Sequence, residues 1–124
     1  MTEEKKKQSE EFKKRLYNFT LKLIDLIEKL PNDNVSKRIG DQLLRSGTSI
    51  IANYIEGKAA SSKRDFAKFI NISLKSSNES KLWLSILKDT KKIDCDKTDW
   101  FLNELKKISN IFGASLITMR NKRL

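Results

Sequence analysis

The chain of 124 residues predicts an all-α fold, an antiparallel up-down-up-down four-helix bundle. Three observations predict it. Four segments place apolar residues at alternating steps of four and three, which is the seam of a bundle helix. The segments are joined by short polar stretches containing helix-capping residues, and connections this short favour antiparallel neighbours. No segment alternates with period two over a useful length, so strands are not expected. The length suits a single domain with a real core.

The first helix is expected over residues 9–30, with Phe12, Leu16, Phe19, Leu23, Leu26 and Leu30 as its seam. Ser9 is its expected cap, and Glu10 and Glu11 suit the positive end of the helix dipole. Residues before Ser9 are expected to fray or to add a loosely held turn. Pro31 lacks an N–H and disfavours the helical region for Leu30, so the helix stops there. The second helix, over 33–57, takes its N-cap from Asn32, Asp33 or Asn34 and ends at Gly57, a residue suited to a left-handed C-cap. Val35, Ile39, Leu43, Ser46, Ile50, Asn53 or Tyr54, and Gly57 line one face. Leu44, Ile51 and Ile55 form a second stripe beside it. Gly40, Ser46, Gly47, Ser49 and Ala52 remove bulk, so a neighbouring helix can approach closely.

Ser62-Lys63-Arg64-Asp65 reads as a capping box, with Asp in place of Glu, opening a third helix over 62–92. Phe66, Ile70, Ser73, Ser77, Ser80, Leu84 and Leu87 hold the four/three alternation. Phe69, Ile72, Ser76, Trp83 and Ile86 make a shifted second seam. One stripe suffices for the corner of a lone bundle, so two stripes imply a further partner surface. The fourth helix, over 97–121, follows a polar stretch, Asp94–Asp99, and repeats the pattern with Phe101, Leu105, Ile108, Phe112, Ser115 and Met119. Gly113 inside it costs about 1 kcal/mol against alanine and is expected to be a packing notch.

The second helix also carries a resemblance. Arg38-Ile39-Gly40-Asp41-Gln42-Leu43, then Arg45-Ser46-Gly47-Thr48-Ser49-Ile50, Asn53 and Glu56-Gly57, resembles the signature of a bacterial four-helix-bundle family. That family is associated with open reading frames in intervening sequences of 23S ribosomal RNA genes, and includes the accessory variability protein of diversity-generating retroelements. The likeness continues through Asp65-Phe66, Phe69, Ser73-Leu74, Ser76, Glu79 and Leu84, covering roughly residues 12–90. Two departures stand out: Ile55 replaces a usual small residue, and Lys75-Ser76 replaces a common Gly-Ser pair. The resemblance implies a ring-shaped homopentamer and, in the retroelement relatives, a reverse transcriptase as partner. The doubled stripes and small-residue faces point independently to a homo-oligomer.

Composition narrows the function. Hydrophobic residues make up 38% and charged residues 34% of the chain, which fits a folded helical protein rather than a disordered one. No apolar run approaches the ~20 residues needed to span a membrane, and Met1–Lys7 lacks the apolar stretch of a secretory signal. Cys95 is the single cysteine and cannot form an internal disulfide, so a cytoplasmic location is expected. It lies beside two aspartates that disfavour the thiolate, and it reads as an incidental thiol. Histidine is absent, which removes the commonest general base and the Glu-x-x-His motif of di-iron bundles. Asp94, Asp96 and Asp99 lack the glycine turn and bidentate Glu of a calcium loop. Gly40-Asp41-Gln42 and Gly47-Thr48-Ser49 lie within a helical pattern, so no phosphate-cradling loop is present. No catalytic residue, metal site or cofactor is expected, and the chain does not read as an enzyme.

Net charge is +10, and residues 59–92, with eight basic and three acidic groups, hold half of it. At 100° per residue, Arg64, Lys68 and Lys75 share one side of the third helix, and Lys63, Lys81, Lys88 and Lys92 share another. Arg38 and Arg45 stack one heptad apart on the second helix. Arg120, Lys122 and Arg123 make a small basic C-terminus. These cations suit phosphate contacts with structured RNA or DNA, multiplied in an oligomer. No aromatic is interleaved with them, so base stacking is not expected. A solvated lysine face on a protein-interaction scaffold is the alternative. Asn53 and Glu56 are open to two roles. Glu56 opposes the helix dipole and is expected to accept amides near Ser61 and Ser62 while Asn53 braces the same turn; otherwise the pair is a recognition site.

Overall fold

Thr2 opens the first helix, α1 (Glu3–Glu28), its hydroxyl accepting the Lys5 amide at 3.2 Å. The computed structural model describes residues 2–122, and α1 is followed by α2 (Asn34–Lys58), α3 (Lys63–Asp89) and α4 (Cys95–Lys122), with no strand among the described residues. The start of α1 corrects the expected cap at Ser9. Residues 3–8 are helical because Thr2 supplies the cap and Glu3 and Glu4 face the positive end of the dipole. Ser9 turns sideways instead, and its hydroxyl shares a 2.9 Å hydrogen bond with the Tyr54 hydroxyl of α2.

Asp33 caps α2, accepting the Ser36 amide at 2.9 Å, and Ser62 caps α3, accepting the Asp65 amide at 3.1 Å. The C-termini differ from expectation. Gly57 is not a left-handed cap. It is buried inside α2, with no glycine at positive φ among the described residues, and the cap is Ala59. A Cβ on Gly57 would stand 3.2 Å from the Phe69 Cβ, so the glycine serves close approach to α3. The third helix stops at Asp89 rather than 92. Lys91 adopts φ 60°, its N–H donates to the Lys88 carbonyl, and the Lys92 N–H donates to the Leu87 carbonyl at 2.8 Å. This is the paired-bond geometry of a Schellman stop, built on a lysine where glycine is usual.

Each seam contributes to one core. Leu16, Phe19 and Leu23 of α1, Leu43 and Ile50 of α2, Ile70, Leu84 and Leu87 of α3, and Leu105, Ile108 and Phe112 of α4 are all buried. Neighbouring helices run in opposite directions, as the paired levels show: Leu23 packs at Gly47 and Leu30 at Gly40, Ser46 meets Ser80 and Ser49 meets Ser76, and Lys88 meets Asp99. A Cβ on Gly47 would collide with Leu23, which explains the glycine.

The helix pairs are unequally close. α2 and α3 lie tightest, α1 and α4 loosest. Between α2 and α3 the buried residues are small and hydroxylic. Ser46 and Ser80 share a 2.8 Å bond, Ser76 donates to Ser49 at 2.9 Å, and Ser73 donates to the Ile50 carbonyl at 2.8 Å. No buried side-chain polar atom among the described residues lacks a partner, as close packing of hydroxyls requires. Between α1 and α4 aromatic rings hold the helices apart, with Phe12 5.4 Å from Phe112 and Phe19 5.7 Å from Phe101.

Two packing expectations fail. Val35, assigned to the core face of α2, is 51% exposed, because it lies in the first turn beyond the reach of a neighbour. Gly113 is no notch: a Cβ there meets nothing within 4 Å. In the second stripe of α2, Leu44 and Ile55 are exposed, whereas Ile51 is half-buried and packs against the core.

Candidate functional site

The nine cations singled out in the sequence separate into two groups. Arg45, Lys88 and Lys92 are engaged by carboxylates. The Arg45 guanidinium bridges from α2 to Glu79 of α3 and donates to Gln42 at 2.9 Å, while Glu79 also accepts the Trp83 indole N–H at 2.9 Å. Lys88 donates to Asp99 of α4 at 2.6 Å, and that bond chiefly holds its ammonium above the ordinary lysine pKa. Lys92 reaches Asp33, the cap of α2, at 3.2 Å. The Asp33 carboxyl sits below its usual range, first because it accepts the Ser36 amide, with Lys92 adding to the effect. These three cations tie helices and connections together.

The other group is uncommitted. Arg38, Lys63, Arg64, Lys68 and Lys75 are exposed and have no ion pair among the described residues. Lys68 lies 5.8 Å from the ring centre of Phe69 on its own helix. Lys81 is half-buried, its ammonium 3.2 Å from the Asn78 side-chain oxygen. Burial first, and then Lys106 of α4, lower its pKa. Lys106 was missed in the sequence because it belongs to another helix and joins Lys81 only when α3 and α4 pack. Arg120 is exposed, whereas Arg123 and the Lys122 side chain lie outside the described residues.

Asn53 and Glu56 do not build the expected corner. The Asn53 amide donates back to the Ser49 carbonyl and hydroxyl, both at 2.9 Å, so it braces α2 and the Ser49–Ser76 bridge. Glu56 is exposed and accepts no hydrogen bond among the described residues. The start of α3 is capped locally instead, the Ser62 hydroxyl accepting the Asp65 amide. Asp65 contributes its backbone amide to that cap, and its side chain is exposed.

The sequence also missed a cleft between α1 and α4. It has a volume of about 480 Å³ and is lined by Lys22, Leu26, Lys97, Trp100 and Phe101, among others. Trp100 is 41% exposed there, and the Lys22 ammonium lies 4.5 Å from its ring centre. Trp100 falls outside the four/three seam of α4, so periodicity alone assigned it nothing.

The family model described as 23S rRNA-intervening sequence protein matches residues 8–114. The chain belongs to this family. The match extends the likeness seen over residues 12–90 into α4. Among solved structures, a protein of unknown function from the S23 ribosomal protein family of Bacteroides thetaiotaomicron is 31% identical. It aligns over 84% of this chain and 96% of its own, with a TM-score of 0.77. No curated protein matches the chain significantly. The 23S rRNA-intervening sequence family and its bundle are thus established together. Among the described residues no helix is long and apolar enough to cross a membrane.

Proposed function

We propose that this 23S rRNA-intervening sequence family member is a non-enzymatic, oligomeric accessory protein of the cytoplasm that binds structured RNA or DNA through phosphate contacts. One observation carries it: five basic side chains, Arg38, Lys63, Arg64, Lys68 and Lys75, stand exposed with no ion pair among the described residues. Lys81 and Lys106 add like charge at the α3/α4 edge. Arg38 lies at the opposite end of the bundle from Lys63, Arg64 and Lys68, since α2 and α3 are antiparallel. Exposed cations without countercharge favour a polyanion, and affinity from such contacts is largely independent of sequence. Self-association, with a pentamer as the specific expectation, is favoured by the exposed second stripe of α2. Leu44 and Ile55 are exposed there, as are Tyr17 and Leu21 of α1. A ring would repeat the basic face and raise avidity. A protein partner, such as a reverse transcriptase, would use the same assembly.

The same exposed stripe favours a second function, a protein-interaction scaffold whose lysines serve solubility. Fluorescence anisotropy against a labelled RNA hairpin and a duplex DNA across a salt series separates the two. The expected result is binding that weakens steeply as salt rises, lost in Lys68→Glu/Lys75→Glu with oligomer size unchanged. Absence of binding at low salt would leave the scaffold.

A further inference from the structure

The α1/α4 cleft combines features that the phosphate-contact face lacks. Its inner wall is apolar, from Leu26 and Phe101, and Trp100 presents an indole at its edge. Four lysines line it against two aspartates. Lys29 is occupied by Asp25 at 3.0 Å and Lys92 by Asp33, which leaves Lys22 and Lys97 without a carboxylate partner among the described residues. Asp94 is the lining carboxylate left outside any described ion pair, and it lowers the local positive charge without cancelling it. An adjoining cavity of about 330 Å³ shares Lys22 and Trp100 and continues along the same groove towards Arg15.

We propose that this cleft binds a nucleotide, with its flat heteroaromatic base on Trp100 and its phosphate held by Lys22 and Lys97. An indole face attracts either a cation or another π-system. In the structure the Lys22 ammonium occupies that position. A base stacking there displaces the ammonium, and the flexible lysine stem lets the same charge turn to the incoming phosphate. The volume lies within the range of small-molecule sites. A nucleotide uses both features at once: Trp100, held from within by Phe19 and Phe101, offers the base its exposed face, and the two unbridged lysines take the phosphate. The adjoining cavity offers room for a second nucleotide, so the ligand is either a free mononucleotide or an unpaired nucleotide of a strand. The cleft lies between α1 and α4, away from Lys68 and Lys75 on the outside of α3, so it stands or falls separately from the phosphate-contact function.

Tryptophan fluorescence tests it. Trp83→Phe leaves Trp100 as the sole tryptophan, and this variant, with tryptophan excited selectively, is titrated with AMP, adenosine, inorganic phosphate and a short oligoadenylate. AMP is expected to quench Trp100 saturably, with adenosine and phosphate each weaker by about tenfold or more. Lys22→Gln, a surface change that leaves the core intact, is expected to weaken AMP by several-fold. Tighter binding of the oligoadenylate than of AMP assigns the site to a strand, and equal binding assigns it to the free nucleotide. No saturable quenching by either nucleotide, equal affinity for AMP and adenosine, or an unchanged affinity in Lys22→Gln would each overturn the proposal.

Discussion

The α2/α3 and α1/α4 seams solve the same packing problem in opposite ways. Between α2 and α3, serines and Gly57 strip the contact to its backbones, and hydroxyl pairs replace apolar bulk. Between α1 and α4, Phe12, Phe19, Phe101 and Phe112 fill the space and hold the helices apart. Closeness keeps the serine-lined stretch of the first seam tight, and only at its Gly57/Phe66 end does a cavity of about 770 Å³ open, towards α4. Distance leaves the second a cleft with an indole and two unbridged lysines.

The largest expected effect breaks the aromatic side. Phe112 is 1% exposed and packs against Phe12 and Tyr54. Phe112→Ala should cost about 3–5 kcal/mol, because nothing nearby can collapse into a void of that size. Chemical denaturation measures it. A loss below about 1 kcal/mol would mean that the rings do not set the α1/α4 spacing. Overfilling the tight side comes next. Ser46 is fully buried and bonded to Ser80, so Ser46→Leu should cost about 1–3 kcal/mol through strain, the Ser80 hydroxyl keeping its bond to the Ser76 carbonyl. An unchanged melting temperature would show slack between α2 and α3.

The smallest effect sharpens the comparison on its polar edge. Arg15 clasps Glu104 across α1/α4 through two hydrogen bonds, at 2.7 and 2.9 Å. The Glu104 carboxyl is held below its ordinary value, first by the Arg15 hydrogen bonds and then, against them, raised by burial. A carboxyl depressed in the folded state contributes stability above its unfolded pKa, and that contribution disappears as pH falls through the folded value. Glu104→Gln should therefore destabilise by about 1 kcal/mol at neutral pH, for a partly exposed pair. The gap from the parent should close below about pH 4. A gap independent of pH would assign the cost to packing.

Much of the architecture was legible from spacing. The seams of the four helices and the cap Ser62 follow from periodicity and capping residues, Asp33 was one of three candidate caps, and the small residues of α2 called for a close neighbour without naming α3. Errors gathered where a residue has two uses. Gly57 was read as a stop because glycine tolerates positive φ, yet it serves close approach to Phe69. Lys91 provides the actual stop of α3 with a residue that rarely adopts that conformation. Ser9 was read as a cap and instead bonds to Tyr54. Of the cations, the sequence named those on α3 without distinguishing Lys88 from Lys75, since the Asp99 that engages Lys88 lies on another helix.

Local chemistry therefore determined four amphipathic helices, where most of them begin, and a basic third segment, because periodicity, capping and charge are properties of neighbours along the chain. Tertiary structure decided which cations are paired, which glycines admit a neighbour and where a cleft opens. Those outcomes depend on what a second helix brings within a few ångströms, and the spacing of one helix carries no record of its partner.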